Sequence, residues 1–213
     1  MAKDRSQRKG KDKFKEKNWY TVISPDYFGG KEITLSLGNS PESMVGRKVE
    51  VPVSDFTGNF KRANAKMIFK IISCQGSKCS TEFLGHSLSD DYIRRMVRRR
   101  KERIDIIHEV SASDGSKMVL KVVIVTDGKL NASKRVDIRN AVLSFLETKA
   151  SSMQYGDLAK YVVGDEIYND IINATKDIYP IRKIELRKSV MVTHNEGGVT
   201  PQHSEEPEIN QAS

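Results

Sequence analysis

Residues 104–126, IDIIHEVSASDGSKMVLKVVIVT, are two runs rich in β-branched residues on either side of a turn. Ile104–Val110 and Met118–Thr126 have strand composition. Between them the Asp114-Gly115 pair can supply the positive φ angles of a tight hairpin. Upstream the same signature recurs at Trp19–Ile23, stopped by Ser24-Pro25-Asp26, and at Ile33–Leu37, Lys48–Val53, Met67–Ser73 and Cys79–Leu84. About seven short strands before residue 127 predict a curved, β-barrel-like core.

Downstream of Asp127-Gly128 the period changes. Ile138, Ala141, Val142, Phe145 and Leu146 recur at helical spacing. A short helix around Asp157–Val162 ends at Gly164, and another opens at Asp165 with Ile167, Ile171, Ala174 and Ile178 on one face. Tyr179-Pro180 stops it, and Ile184–Val192 is a final strand. The expected class is α+β. One domain covers 18–193, mainly β over 18–127 and mainly helical over 128–193 with the last strand. A disordered basic arm (1–17) precedes it and a disordered acidic tail (194–213) follows.

Charge is unevenly placed. The chain of 213 residues carries +8, but the arm alone holds +5, residues 94–103 hold +6 and the tail holds −4. Seven cations within ten residues repel one another and would destabilise an isolated fold. The clustering therefore fits a solvated face poorly and points to a nucleic acid or an anionic surface as partner. The arm is lysine-rich (Lys9, Lys11, Lys13, Lys15, Lys17), which suits diffuse phosphate neutralisation. The second cluster is Arg94, Arg95, Arg98, Arg99, Arg100, Lys101 and Arg103, and guanidinium groups grip phosphate bidentately. A helix over 90–103 is expected there, with Ser89 as N-cap and Asp90-Asp91 at the positive end of its dipole. Ile93, Met96, Val97 and Ile104 would share its buried face, and Arg100 would have to snorkel out of that face. Trp19 and Tyr20 adjoin the arm and could stack on unpaired bases or anchor the first strand in the core.

Other classes find little support. The longest apolar run, Val122–Val125, is far short of a membrane span, and residues 1–17 lack the apolar stretch of a secretory signal. These features suit an intracellular, soluble, basic protein. Cys74-Gln-Gly-Ser-Lys-Cys79 with His86 beyond lacks a fourth zinc ligand. It reads as a hairpin with two half-buried thiols around a Gln75-Gly76 turn. His86 could contact RNA or close a turn, His108 sits in a strand, and His194 and His203 lie in the tail. Without a nucleophile elbow, a phosphate loop or a metalloprotease helix, neither catalysis nor a cofactor is expected.

Several segments together resemble a known family. They are Lys17-Asn18-Trp19-Tyr20-Thr21-Val22-Ile23-Ser24-Pro25, the Gly76–Thr81 stretch followed by Phe83-Leu84-Gly85-His86, and the basic run Asp91–Arg100. Ser113-Asp114-Gly115 and Ile178-Tyr179-Pro180-Ile181-Arg182-Lys183 complete the set, in one collinear order over about residues 13–192. The pattern resembles the small-subunit ribosomal protein of archaea and eukaryotes numbered three-A (also one-e), and the short length looks archaeal. The resemblance implies a structural, ribosome-bound protein of the cytoplasm that binds small-subunit rRNA near its 3′ end. It also implies a place on the platform near the messenger exit, beside other small-subunit proteins. The acidic tail departs from eukaryotic members, which are more basic there. A free RNA-binding translation regulator or a DNA-coating protein would share the charge but not the motifs.

Overall fold

The computed structural model describes residues 17–192, so the expectations for the arm lysines Lys9, Lys11, Lys13 and Lys15 and for the acidic tail lie outside the described residues. All the expected strands form: β1 (Asn18–Ile23), β2 (Glu32–Gly38), β3 (Lys48–Pro52), β4 (Ala65–Gln75), β5 (Lys78–Leu88), β6 (Arg103–Ser111), β7 (Lys117–Thr126) and β8 (Ile181–Val192). They make one eight-stranded sheet ordered β2-β1-β5-β8-β7-β6, with β3 and β4 branching off β5. The fold is thus α+β, with the sheet branched at β5. The first part of β5 pairs in parallel with β1, at Lys78–Ser80. Its far end pairs antiparallel with β8, at Gly85–Ser87.

Two turns differ from expectation. In the β6–β7 hairpin only Gly115 has positive φ, +82°. The Gly115 N–H donates to the Ala112 carbonyl and the Ala112 N–H to that of Ser116. This is the longer loop with one left-handed residue, not a two-residue turn. Asp114 instead uses its side chain, accepting from the Ser116 N–H at 2.9 Å and the Tyr155 N–H at 3.0 Å. These two N–H groups hold its carboxyl below the usual aspartate range, the Ser116 bond weighing most. The β4–β5 turn centres on Gly76-Ser77, because Gln75 pairs with Lys78 and Gly76 has a φ of +60°. Cys74 and Cys79 face each other across this hairpin with Cα atoms 4.0 Å apart and are joined in a disulfide, not left as two thiols. Direct cross-strand pairing brought them within bonding reach, which linear spacing did not reveal.

Five α-helices are present among the described residues: α1 (Val53–Thr57), α2 (Asp90–Met96), α3 (Ala132–Ser151), α4 (Tyr155–Val163) and α5 (Glu166–Thr175). Ile138, Val142 and Leu146 of α3 are buried, and the stripe continues to Ala150. In α5 the inward residues are Ile167, Ile171 and Thr175; Ala174 is exposed. Thr175 is tolerated inside because its hydroxyl donates to the Ile171 carbonyl at 2.7 Å. The main core gathers these helices against β4–β8, and a small second cluster is formed by Tyr20, Val22, Met44, Ile71 and Cys79.

His86 lies where β5 meets β8. It is 2% exposed, and neither contacts solvent nor closes a turn. Its Nε2–H donates to the Leu186 carbonyl at 2.9 Å. Its Nδ1 accepts from the Ser189 hydroxyl at 2.8 Å, while Ser189 Oγ accepts from the His86 backbone N–H. Burial pushes its pKa down to about 4. Gly85 beside it has φ +148°, and a Cβ there would lie 2.0 Å from the Ser189 carbonyl oxygen. Only glycine lets β8 approach this closely.

Candidate nucleic-acid interface

The basic segment is not the continuous helix expected over 90–103. Helix α2 ends at Met96, Val97 is extended, and Arg98–Lys101 form a turn with Arg100 left-handed at φ +65°. Arg103 already belongs to β6, so Ile104 is buried as a strand residue. Glu102 accounts for the break. Its carbonyl accepts from the Thr126 N–H, and its carboxylate accepts from the Leu130 N–H at 2.7 Å and pairs with Arg135 at 2.6 Å. These partners hold Glu102 in line with β6, and seven neighbouring cations do not favour extending the helix to meet it. At the N-terminus, Ser89 occupies the cap position without a side-chain cap bond. Asp90 pairs with Arg187 of β8 at 3.2 Å. Ile93 is the helix's buried residue.

Breaking the helix sorts its cations into two groups. Lys101 is held by the Asp127 carboxylate at 2.5 Å and by the Asp127 backbone carbonyl, and Arg103 by Asp105 at 2.8 Å. Lys101 in turn keeps the Asp127 carboxyl below its ordinary range, chiefly through that hydrogen bond. Arg95 donates from Nε to the Asp91 carbonyl at 3.3 Å. Arg94, Arg98, Arg99 and Arg100 are exposed and make no ion pair with a described residue. Arg100 lies outside any helix and has no apolar face to escape.

The aromatic pair at the start of β1 splits by strand alternation. Trp19 is 60% exposed and Tyr20 is in the small core. Lys17 is exposed just before it.

Two residues that sequence reasoning did not place at the site are brought there by β8. Arg182 and Lys183, at the start of that strand, line a cleft of about 230 Å³ with Tyr92, Arg95, Met96 and Arg98. Their signal was the Ile178–Lys183 motif, which linear distance separates from α2. Lys183 sits 4.6 Å from the centre of the Tyr92 ring, donates to its hydroxyl and lies 3.5 Å from Glu185. Although burial opposes it, these contacts raise the Lys183 pKa and keep the group cationic. Among the described residues no group of three or more His, Cys, Asp or Glu is arranged to hold a metal ion. His108 Nε2 lies 2.7 Å from Glu147 of α3.

A scaffold that neutralises some cations and leaves four arginines in solvent has the form of a polyanion-binding surface. A family model described as the Ribosomal S3Ae family matches residues 5–195. The chain belongs to this family. One relative, from Thermoplasma acidophilum, is 56% identical over 205 residues, covering 96% of this chain and 95% of its own length. Another, from Thermoplasma volcanium, is 54% identical over 193 residues, or 91% and 90%. A more distant one from Saccharolobus islandicus is 36% identical over 183 residues, or 84% and 86%. All three are named small ribosomal subunit protein eS1. The family is one of small-subunit ribosomal proteins, not of enzymes. No helix among the described residues is long and apolar enough to cross a membrane.

Proposed function

We propose that the protein is a structural constituent of the small ribosomal subunit and holds rRNA by charge neutralisation, with no bond made or broken. The observation that carries this is the sorting of the basic segment: Arg94, Arg98, Arg99 and Arg100 point into solvent from a folded support while Lys101 and Arg103 are internally paired. The arm lysines add further cations for phosphate neutralisation, and the exposed Trp19 indole offers a stacking face. The family resemblance supports a finer placement on the platform, near the rRNA 3′ end and the messenger exit. There neighbouring small-subunit proteins and the messenger would complete its surroundings in the cytoplasmic ribosome.

Sedimentation tests the reading. Native lysate is run on a sucrose gradient, magnesium is lowered to part the subunits, and each fraction is probed for this protein. The expected result is near one copy per small subunit, surviving a moderate salt wash. Recovery at the top of the gradient would favour a free translation regulator. Recovery with nuclease-sensitive DNA would favour a DNA-coating role.

A further inference from the structure

The cationic cleft has a neighbour. On the other side of Tyr92 lies a cavity of about 370 Å³ between β4, β8 and α5. Tyr92 lines both spaces, and β8 runs across them, with Arg182 and Lys183 in the cleft and Ile184 and Glu185 in the cavity. Two residues along a strand span about 7 Å, the reach of one nucleotide from phosphate to base. The two spaces differ in chemistry. The cleft carries Arg95, Arg98 and Arg182, which make no ion pair with a described residue, and Lys183, which lies 3.5 Å from Glu185. The cavity offers Asn64, Asn169, Tyr168 and the carboxylates of Asp165 and Glu185.

In the cavity Arg62 is already committed. It pairs with Asp165, donates to the Tyr168 hydroxyl at 2.9 Å and the Gly164 carbonyl at 3.0 Å, and stacks 4.3 Å from the Tyr168 ring centre. Asp165 answers Arg62, and Glu185 accepts from the Tyr92 hydroxyl at 2.9 Å and lies 3.5 Å from Lys183, so the cavity has no unpaired cation for a phosphate. The exocyclic amine and ring N–H groups of a base would find acceptors there, with aromatic walls alongside.

We infer that the paired spaces bind one unpaired RNA nucleotide, its phosphate in the Arg95–Arg98–Arg182–Lys183 cleft and its base in the cavity beyond Tyr92. This rests on the rRNA-binding reading and adds to it a site for a base turned out of a helix, the form in which RNA sequence is ordinarily read. It makes the protein a reader of one looped or bulged position as well as a neutraliser of charge.

The test uses the full chain with small-subunit rRNA, combining salt-dependent affinity with chemical probing of unpaired bases. Arg182→Ala is expected to lower the salt slope by about 0.7–0.9, one phosphate contact. Asn169→Leu fills the cavity from an exposed position on α5; it should leave the slope unchanged, raise Kd about tenfold and restore the reactivity of one base that the wild type protects. Asn169→Ala, which cannot crowd the fold, should shift the same base in the same direction. Binding by the wild type with no base responding to either Asn169 variant, or an unaltered slope in Arg182→Ala, overturns the nucleotide site and leaves the general rRNA reading standing. A wild-type chain that fails to bind the rRNA at all overturns that parent reading.

Discussion

Arg100 sits at the third position of the Arg98–Lys101 turn, where φ is +65° and glycine would be at ease. A left-handed conformation costs an L-residue about 1–2 kcal/mol. Replacing it with glycine relieves that strain but frees the unfolded chain by about 0.5–1 kcal/mol. Arg100→Gly should therefore be neutral to about 1.5 kcal/mol stabilising in urea unfolding, and it should lower the salt slope of rRNA binding by about 0.7–0.9. A destabilised variant with an unaltered slope would mean that the side chain serves the fold. The conformation was not legible in the sequence, because a run of arginines carries no turn signal. Trp19 and Tyr20 were half legible: alternation put them on opposite faces, but which face was buried depended on how β1 met β5 and β2.

At the scale of elements, the basic segment is a short helix, a turn and a strand start. The proposed rRNA contact then divides between cations left in solvent and cations already paired. Arg98→Ala and Arg99→Ala, combined, should reduce the salt slope by up to about 0.7–0.9 for each lost phosphate contact. Lys101→Ala and Arg103→Ala, combined, should change it much less, since Asp127 and Asp105 already answer those cations. Filter binding across a salt series separates the two outcomes. Equal losses from both pairs would show that the internal ion pairs open on RNA. The helix start was legible from Ser89-Asp90-Asp91. Its end was not, because it is set by the contacts of Glu102 with Thr126, Leu130 and Arg135, all distant in sequence.

At the scale of the molecule, β5 joins two parts of the sheet, and His86 and Gly85 sit at that joint. The His86 pKa lies below its unfolded value, so the unfolded chain binds the extra proton first as pH falls. The stabilisation is fully present above about pH 6.5 and is lost as pH drops toward about 4. Between pH 7 and 4.5 this one group should remove about 2–3 kcal/mol. Urea midpoints of wild type and His86→Gln, which can still donate to Leu186 but does not titrate, check this. The wild type should lose that much more stability than the variant over the same interval, and parallel losses would exclude His86 as the cause.

What the sequence determined by itself was whatever depends on neighbours along the chain. Runs of β-branched residues bounded by turn residues placed the strands, helical spacing placed α3 to α5, and clustered charge pointed to a polyanion partner. Local propensity and burial patterns are written in adjacent residues, so they can be read there. The tertiary structure decided what depends on residues far apart. The Cys74–Cys79 bond follows from strand register, and the end of α2 from the partners of Glu102. The burial of His86 comes from β8 docking against β5. The cleft beside Tyr92 exists because β8, about ninety residues on in the chain, returns to lay Arg182 and Lys183 against α2. Those features arise from long-range pairing, whose free energy belongs to the closed sheet contacts and to no single stretch of residues.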